Sequence, residues 1–254
     1  MAYVHGYAAR ENERLNDQAG ALVDLLHHDT AYPAGSRVLE AGCGVGAQTV
    51  TLAANSPEAH FTSIDVSAES LAIARERVTA DNVEFVQADL LGFQAEPFDH
   101  VFVCFVLEHL RDPYAALRRL RSFLRPGGTM TVIEGDHGSA YFHPESEAAD
   151  DAIECLVKLQ SGDAKIGRRL YPLLVEAGFA STRVSPRQVY VDASKPELYD
   201  GFTLKTFTAM VEGVREAALT AGLIDADRFD QGIVDLAATE TFSYTFFKAV
   251  ASRG

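Results

Sequence analysis

Basic residues are in short supply. The 254-residue chain has 22 Lys and Arg against 36 Asp and Glu, a formal net charge of −14. A surface of that sign repels phosphate backbones, so nucleic acid is not expected as a partner. Cysteine is scarce as well. Cys43, Cys104 and Cys155 are odd in number and far apart, which gives neither a disulfide framework nor a zinc spacing. Cys43 reads as a small loop residue and Cys104 as a core residue, and a reducing cytoplasm is the expected compartment. No apolar stretch is long enough to cross a membrane, and the first residues show no apolar signal run, so no membrane partner is expected. Internal repeats and low-complexity segments are absent. Apolar residues are plentiful, 47% of the chain. That suffices for a full core, and the length fits a single domain over 1–254 with a substantial insertion.

The chain then alternates. Leu15, Ala19, Leu22 and Leu26 recur at helical spacing, which predicts an amphipathic helix over about 8–27. Strands are predicted over 37–40, 60–64, 83–88, 100–106 and 129–134, with helices over 48–54, 67–78 and 113–123 between them. The fourth of these strands, HVFVCFV, is apolar throughout, as expected when both faces are covered. Arg125-Pro126-Gly127-Gly128 breaks the chain before the fifth. Such regular alternation implies a parallel sheet with helices on both faces, wound by right-handed crossovers. Its ligands sit beyond the carboxyl ends of the strands. Those ends carry Glu40, Asp65, Asp89, Phe105 and Glu134, four of them acidic.

Beyond Glu134 the pattern changes. Residues 135–147 read as a polar, aromatic loop, 146–159 and 167–177 as helices, and 181–191 as a strand whose Pro186 marks an edge or a bulge. A last strand is expected over 241–251. The residues between these two strands, about 192–238, read as helical. One apolar stripe comprises Leu204, Phe207, Val211, Val214 and Ala218; a second, more mixed one comprises Tyr199, Phe202, Thr206 and Met210.

The first strand runs into Glu40-Ala41-Gly42-Cys43-Gly44-Val45-Gly46 and then a helix. Glycines there let the backbone turn tightly and let a ligand approach the main chain, while the helix start favours a negative group. Two ligands fit. Gly42, Gly44 and Ala47 satisfy the dinucleotide fingerprint loosely, with Asp65 as the following acid. The acid-x-G-x-G-x-G loop of S-adenosylmethionine (SAM) enzymes is matched at every fixed position, Glu40 included.

Taken in order, VLEAGCGVG, SIDVS, VQADL, FDHVFVCFVLEHL and LRPGGT resemble the class I SAM-dependent methyltransferases, in particular the small-molecule branch of UbiE/Coq5 and "methyltransferase domain 11" type. The resemblance covers about residues 33–131. It implies an α/β, doubly wound, mostly parallel seven-stranded Rossmann-like sheet with an antiparallel C-terminal strand, an N-terminal lid helix over 1–30, a SAM-binding core over 31–135 and a helical cap over 192–238. It implies SAM as cofactor, S-adenosylhomocysteine (SAH) as product, and a small-molecule acceptor. Gly42, Gly44 and Gly46 would meet the methionyl part of SAM, with Glu40 beneath it; Gln48 stands where a side chain reaches the methionine carboxylate. Asp65 would accept from the ribose hydroxyls, Val66 would lie against adenine, Asp89 would accept from the adenine amine with Leu90 on the ring, and Cys104 and Phe105 would flank the methionyl chain. Tyr7, with Tyr3, His5, Arg10 and Arg14, belongs to the expected lid.

Methyl transfer needs alignment and desolvation above all, and a hydroxyl acceptor also gains from a general base. Glu134, Asp136, His137 and His143 are the polar cluster next to the fifth strand's end. His137 is the candidate base, oriented by Asp136 or Glu134. The alternative is a loop whose polar groups hold its own turns. The spacing fits no strong ligand pattern, so no metal is expected. The insert's Phe202, Thr206 and Met210 stripe is a candidate acceptor wall; packing on the sheet or a homodimer contact are its other readings. A SAM-binding sensor that transfers no methyl group, and an NAD-dependent oxidoreductase, are the rival functions.

Overall fold

In the computed structural model, which describes residues 22–254, a central strand is apolar on both faces. Val101, Phe102 and Val103 are consecutive and fully buried on β4 (Phe98–Cys104). Beside it lie β1 (Arg37–Ala41), β2 (His60–Asp65) and β3 (Val83–Gln87) on one flank and β5 (Leu124–Gly135) on the other. All four pairings among these five strands are parallel. Strand order reverses between β1 and β4, and their carboxyl ends open at that switch.

The expected C-terminal strand is β8 (Thr241–Ser252), antiparallel to β5 and to the edge strand β7 (Ala180–Val191). Pro186 lies on β7, where a missing amide costs no ladder bond on the free side. The sheet has eight strands rather than seven. The extra one is β6 (Tyr141–His143), three residues within the stretch expected to be loop, which pairs with the start of β8 where β5 has ended. Three residues are too few for an alternation to register in sequence. A second difference lies at residues 125–128. The breaker cluster ends helix α4 (Pro113–Phe123), but β5 already begins at Leu124. Gly127, at φ 76°, donates its amide to the Arg253 carbonyl, and Arg253 donates back to that of Gly128.

Among the described residues the helices begin with α1 (residues 22–27). Helix α2 (Ala47–Asn55) follows β1, and α3 (Ala68–Arg77) follows β2, capped by Ser67 Oγ on the Ser70 amide. Asp112 caps α4 and Ser146 caps α5 (Glu147–Leu159) through side-chain oxygens. Helix α6 (Leu170–Glu176) packs against α4 and β7. Two apolar clusters cover the two sheet faces, one under α4 and α6, the other under α1, α5 and the insertion.

The insertion holds the largest departure from simple helical periodicity. Residues Tyr199–Thr208 form a π-helix. Its hydrogen bonds span five residues rather than four, so Phe202 and Phe207 share a face. Both rings pack on Phe242 and Tyr244 of β8. A 3.6-residue period assigns them to different stripes; the wider turn merges the stripes, and Phe202, Thr206, Phe207, Met210 and Val211 are all buried.

Candidate functional site

The loop after β1 is held open by its own backbone. Gly42 and Gly44 adopt φ 77° and 52°, values an L side chain rarely takes. A Cβ on Gly42 would come within 2.5 Å of Val106 Cγ2, whereas one on Gly44 would meet nothing within 4 Å. Gly42 is thus packed against the β4 turn and Gly44 faces open space. Gly46, also left-handed, is the N-cap of α2. The amides of Gly42 and Cys43 both donate to the Ile64 carbonyl of β2, and Gly44 donates to Asp65 Oδ2 at 2.8 Å. Asp65 Oδ1 accepts from Ser67 at 2.9 Å. One carboxylate therefore ties the glycine loop to the turn after β2, and each oxygen keeps acceptor capacity for a further donor.

Glu40 lies beneath the loop, fully buried, and its Oε2 accepts from Thr49 at 2.7 Å and Ser63 at 2.6 Å. Burial pushes its carboxyl up to about 7, against the pull of the two hydroxyls. Val66 is 55% exposed beside Asp65. Asp89, after β3, accepts from Leu91 at 2.8 Å, and Leu90 packs half-buried against the sheet. Cys104 closes β4 in the core. Phe105 follows at φ 56°, outside the strand expected to continue to 106, with its ring 5.4 Å from that of Phe246. The carboxyl ends of three neighbouring strands thus present an open glycine, two acceptor-only carboxylates and an exposed aliphatic side chain. That donor-poor, acceptor-rich set fits a ligand with a diol and an amino-purine, such as SAM. Gln48 offers its Oε1 to His27 Nε2 at 2.6 Å. Tyr7 and the other lid candidates lie outside the described residues.

A second polar cluster sits at the end of β5. Glu134 is fully buried; its Oε1 accepts from the amides of Val106 at 3.0 Å and Leu107 at 2.7 Å, and its Oε2 has no partner. Burial, then the neighbouring Glu108 carboxylate, raises its carboxyl well above the ordinary range. His137 is buried with Nδ1 2.8 Å from Tyr244 Oη and Nε2 3.7 Å from Glu108 Oε2. Asp136 takes a different partner from the one expected. Arg168 grips it with two bonds, 2.5 Å and 2.8 Å, and the Gly138 amide adds a third at 3.0 Å. Glu108 is thus a charge beside His137, while Asp136 secures the turn that carries it. His143 is exposed on β6, with no bond to Asp136 or His137. Among the described residues no group of three or more His, Cys, Asp or Glu is placed to hold a metal ion.

Four residues of these networks carry no signal in sequence. Tyr244 and Lys248 are on β8, Glu108 lies within the short turn Leu107–His109 after β4, and His27 ends α1. Their partners are remote: Tyr244 is 107 positions from His137, and Lys248, whose ammonium donates to Thr30 Oγ1, is 218 positions from it.

Residues 38–128 match the family model described as a methyltransferase domain. An uncharacterised 37.1 kDa protein encoded in a Streptomyces fradiae transposon is 31% identical over 226 residues, 85% of this chain and 62% of its own. The ubiquinone biosynthesis O-methyltransferase of Xylella fastidiosa is 36% identical over 129 residues, 49% of this chain and 52% of that one. Among solved structures, phosphoethanolamine N-methyltransferase 2 of Haemonchus contortus, in complex with SAH, superposes with a TM-score of 0.57 at 19% identity. The overlap covers 93% of this chain and 52% of the other. The chain spans between 35% and 62% of the length of the first curated relatives it matches. The fold is that of the class I methyltransferases.

Proposed function

We propose that this chain, which carries a class I SAM-dependent methyltransferase domain, moves the SAM methyl group to an oxygen, nitrogen or carbon atom of a small molecule in the cytoplasm. The observation that carries the reading is the Asp65 carboxylate at the end of β2, bonded to the Gly44 amide of an open acid-x-G-x-G-x-G loop. A dinucleotide loop could use the same glycines and the same acid; the match over residues 38–128 and the buried Glu40 below the loop favour SAM over NAD.

When bound, SAM supplies a methyl group already activated on a sulfonium, which leaves alignment and desolvation to the protein. Gly42, Gly44 and Gly46 would shape the methionyl cradle on Glu40, with Cys104 and Phe105 at its side and Gln48 at its carboxylate end. Asp65 would accept from the ribose diol, Asp89 from the adenine amine, and Val66 and Leu90 would sandwich the base. His137 would take the acceptor's proton, its imidazolium stabilised by Glu108. Asp136, locked by Arg168, would position the His137 turn. Residues 1–30 would form the lid and 192–238 the acceptor cap.

His137→Ala is expected to slow turnover at least tenfold while leaving SAH affinity intact, read by a screen of small acceptors with SAH release as signal. Full activity of that variant would remove His137 as base. Tight SAH binding with no SAH release on any acceptor would support a SAM-binding sensor instead.

A further inference from the structure

Lys248 of β8 is buried, and its three ammonium protons have three acceptors: the Leu26 carbonyl at 2.9 Å, Asp29 Oδ1 at 2.5 Å and Thr30 Oγ1 at 2.6 Å. An ammonium donates only. Thr30 Oγ1 is thereby an acceptor towards Lys248, and its own proton is left for His27 Nδ1, 3.5 Å away. With Nδ1 accepting, the ring proton of a neutral His27 sits on Nε2, which donates to Gln48 Oε1 at 2.6 Å. Burial keeps the ring neutral, lowering its pKa to about 4. With Gln48 Oε1 facing Nε2, every link runs in the same direction. Read from Lys248 outward, the chain gives the Thr30 proton a partner only in the Nε2–H tautomer of His27, the one that matches Gln48 Oε1 facing inward. The Gln48 NH2 group is turned away from His27, in the first turn of α2, with no hydrogen-bond partner among the described residues. Asn55 holds the same segment from the other side, donating to the carbonyls of His27 and Thr30.

We propose that His27 is a positioning residue for the methyl donor: by holding Gln48 Oε1 it presents the Gln48 NH2 group as a donor to the carboxylate of the SAM methionyl moiety. This rests on the SAM reading above. His27 works through Gln48, and Lys248 works through the His27 tautomer.

The test uses two ligands that differ in the group concerned. SAH carries the amino-acid carboxylate, whereas methylthioadenosine keeps the nucleoside and thioether and lacks it. By calorimetry on the full chain, His27→Ala and Gln48→Ala should each weaken SAH about tenfold, the size of one lost bond to a charged group. Both should leave methylthioadenosine within about twofold. The double variant should bind SAH no worse than Gln48→Ala alone. Unchanged SAH affinity, or an equal loss for both ligands, would overturn the positioning role. Because His27 is buried and its variant is open to misfolding, nitrogen-15 NMR of the histidines in the unaltered protein gives a second reading. His27 should be the neutral Nε2–H tautomer at pH 7, and an Nδ1–H tautomer would overturn the chain. If the unaltered protein binds neither ligand, the SAM reading itself falls.

Discussion

Glu40 shows how much a single residue's surroundings decide. Its leading place in the glycine loop is plain in sequence, but its ionisation is set by burial under that loop. The folded carboxyl titrates near 7 against an ordinary 4.5. Between those values the folded chain binds more protons than the unfolded one, so the stability contributed by Glu40 is full below about 4.5 and is lost as pH rises to 7. His27 has the opposite sign. With its folded value near 4 and an ordinary 6.5, its contribution is full above 6.5 and is lost as pH falls towards 4. Glu40→Gln keeps an acceptor for Thr49 and Ser63 and cannot ionise. Relative to the unaltered protein it should therefore gain stability from pH 4.5 to 7, by up to about 3 kcal/mol. Urea melts at half-unit pH steps read this directly. A flat difference would mean that Glu40 does not titrate with folding. The residues that sequence could place, Glu40, Asp65 and Asp89, sit at strand ends, where the local pattern fixes position. His27, Tyr244 and Lys248 could not be placed, because their roles come from contacts made across more than twenty positions of chain.

At the scale of elements, the parallel strands and crossover helices were legible because each satisfies its own periodicity and caps. Ser67, Asp112 and Ser146 each start the helix that their sequence neighbourhood suggests. Two elements were not. β6 is three residues long and exists by pairing with β8. The π-helix cannot be read from a 3.6-residue pattern, since what holds it is the aromatic face of β8, where Phe242 and Tyr244 receive Phe202 and Phe207 together. The end of β5 meets the same face. A Cβ on Gly135 would lie 2.3 Å from Tyr244 Oη and 3.3 Å from Cζ. Gly135→Ala should therefore destabilise the protein by about 2 kcal/mol through overpacking. In a Tyr244→Phe background the nearest atom is the ring carbon, and the added cost should fall by about half. Strict additivity of the two changes in thermal or urea unfolding would show that the clash is not with the hydroxyl.

Across the whole molecule, the strand-order switch between β1 and β4 collects the glycine loop, Asp65 and Asp89 on one rim, and the Glu134, Glu108 and His137 cluster beside it. Residues 26–30 are clamped to β8 by Lys248 and to α2 by His27 and Asn55, so the segment entering the fold is tied to the helix that follows the loop. The glycine loop and the acids at the strand ends were readable from the motifs. The surroundings of His137 and of the insertion were not, because they depend on a merged helical face and on a strand more than a hundred residues from His137. Among the described residues no helix is long and apolar enough to cross a membrane. Calorimetry with SAM, SAH and NAD on the unaltered chain and on Asp65→Ala tests whether the β1 loop and Asp65 hold SAM. One site for SAM and SAH is expected, with no binding of NAD and a loss of more than about tenfold for Asp65→Ala, which leaves the ribose hydroxyls without their acceptor. NAD binding without SAM binding, or an Asp65→Ala variant that binds SAM unchanged, would contradict it.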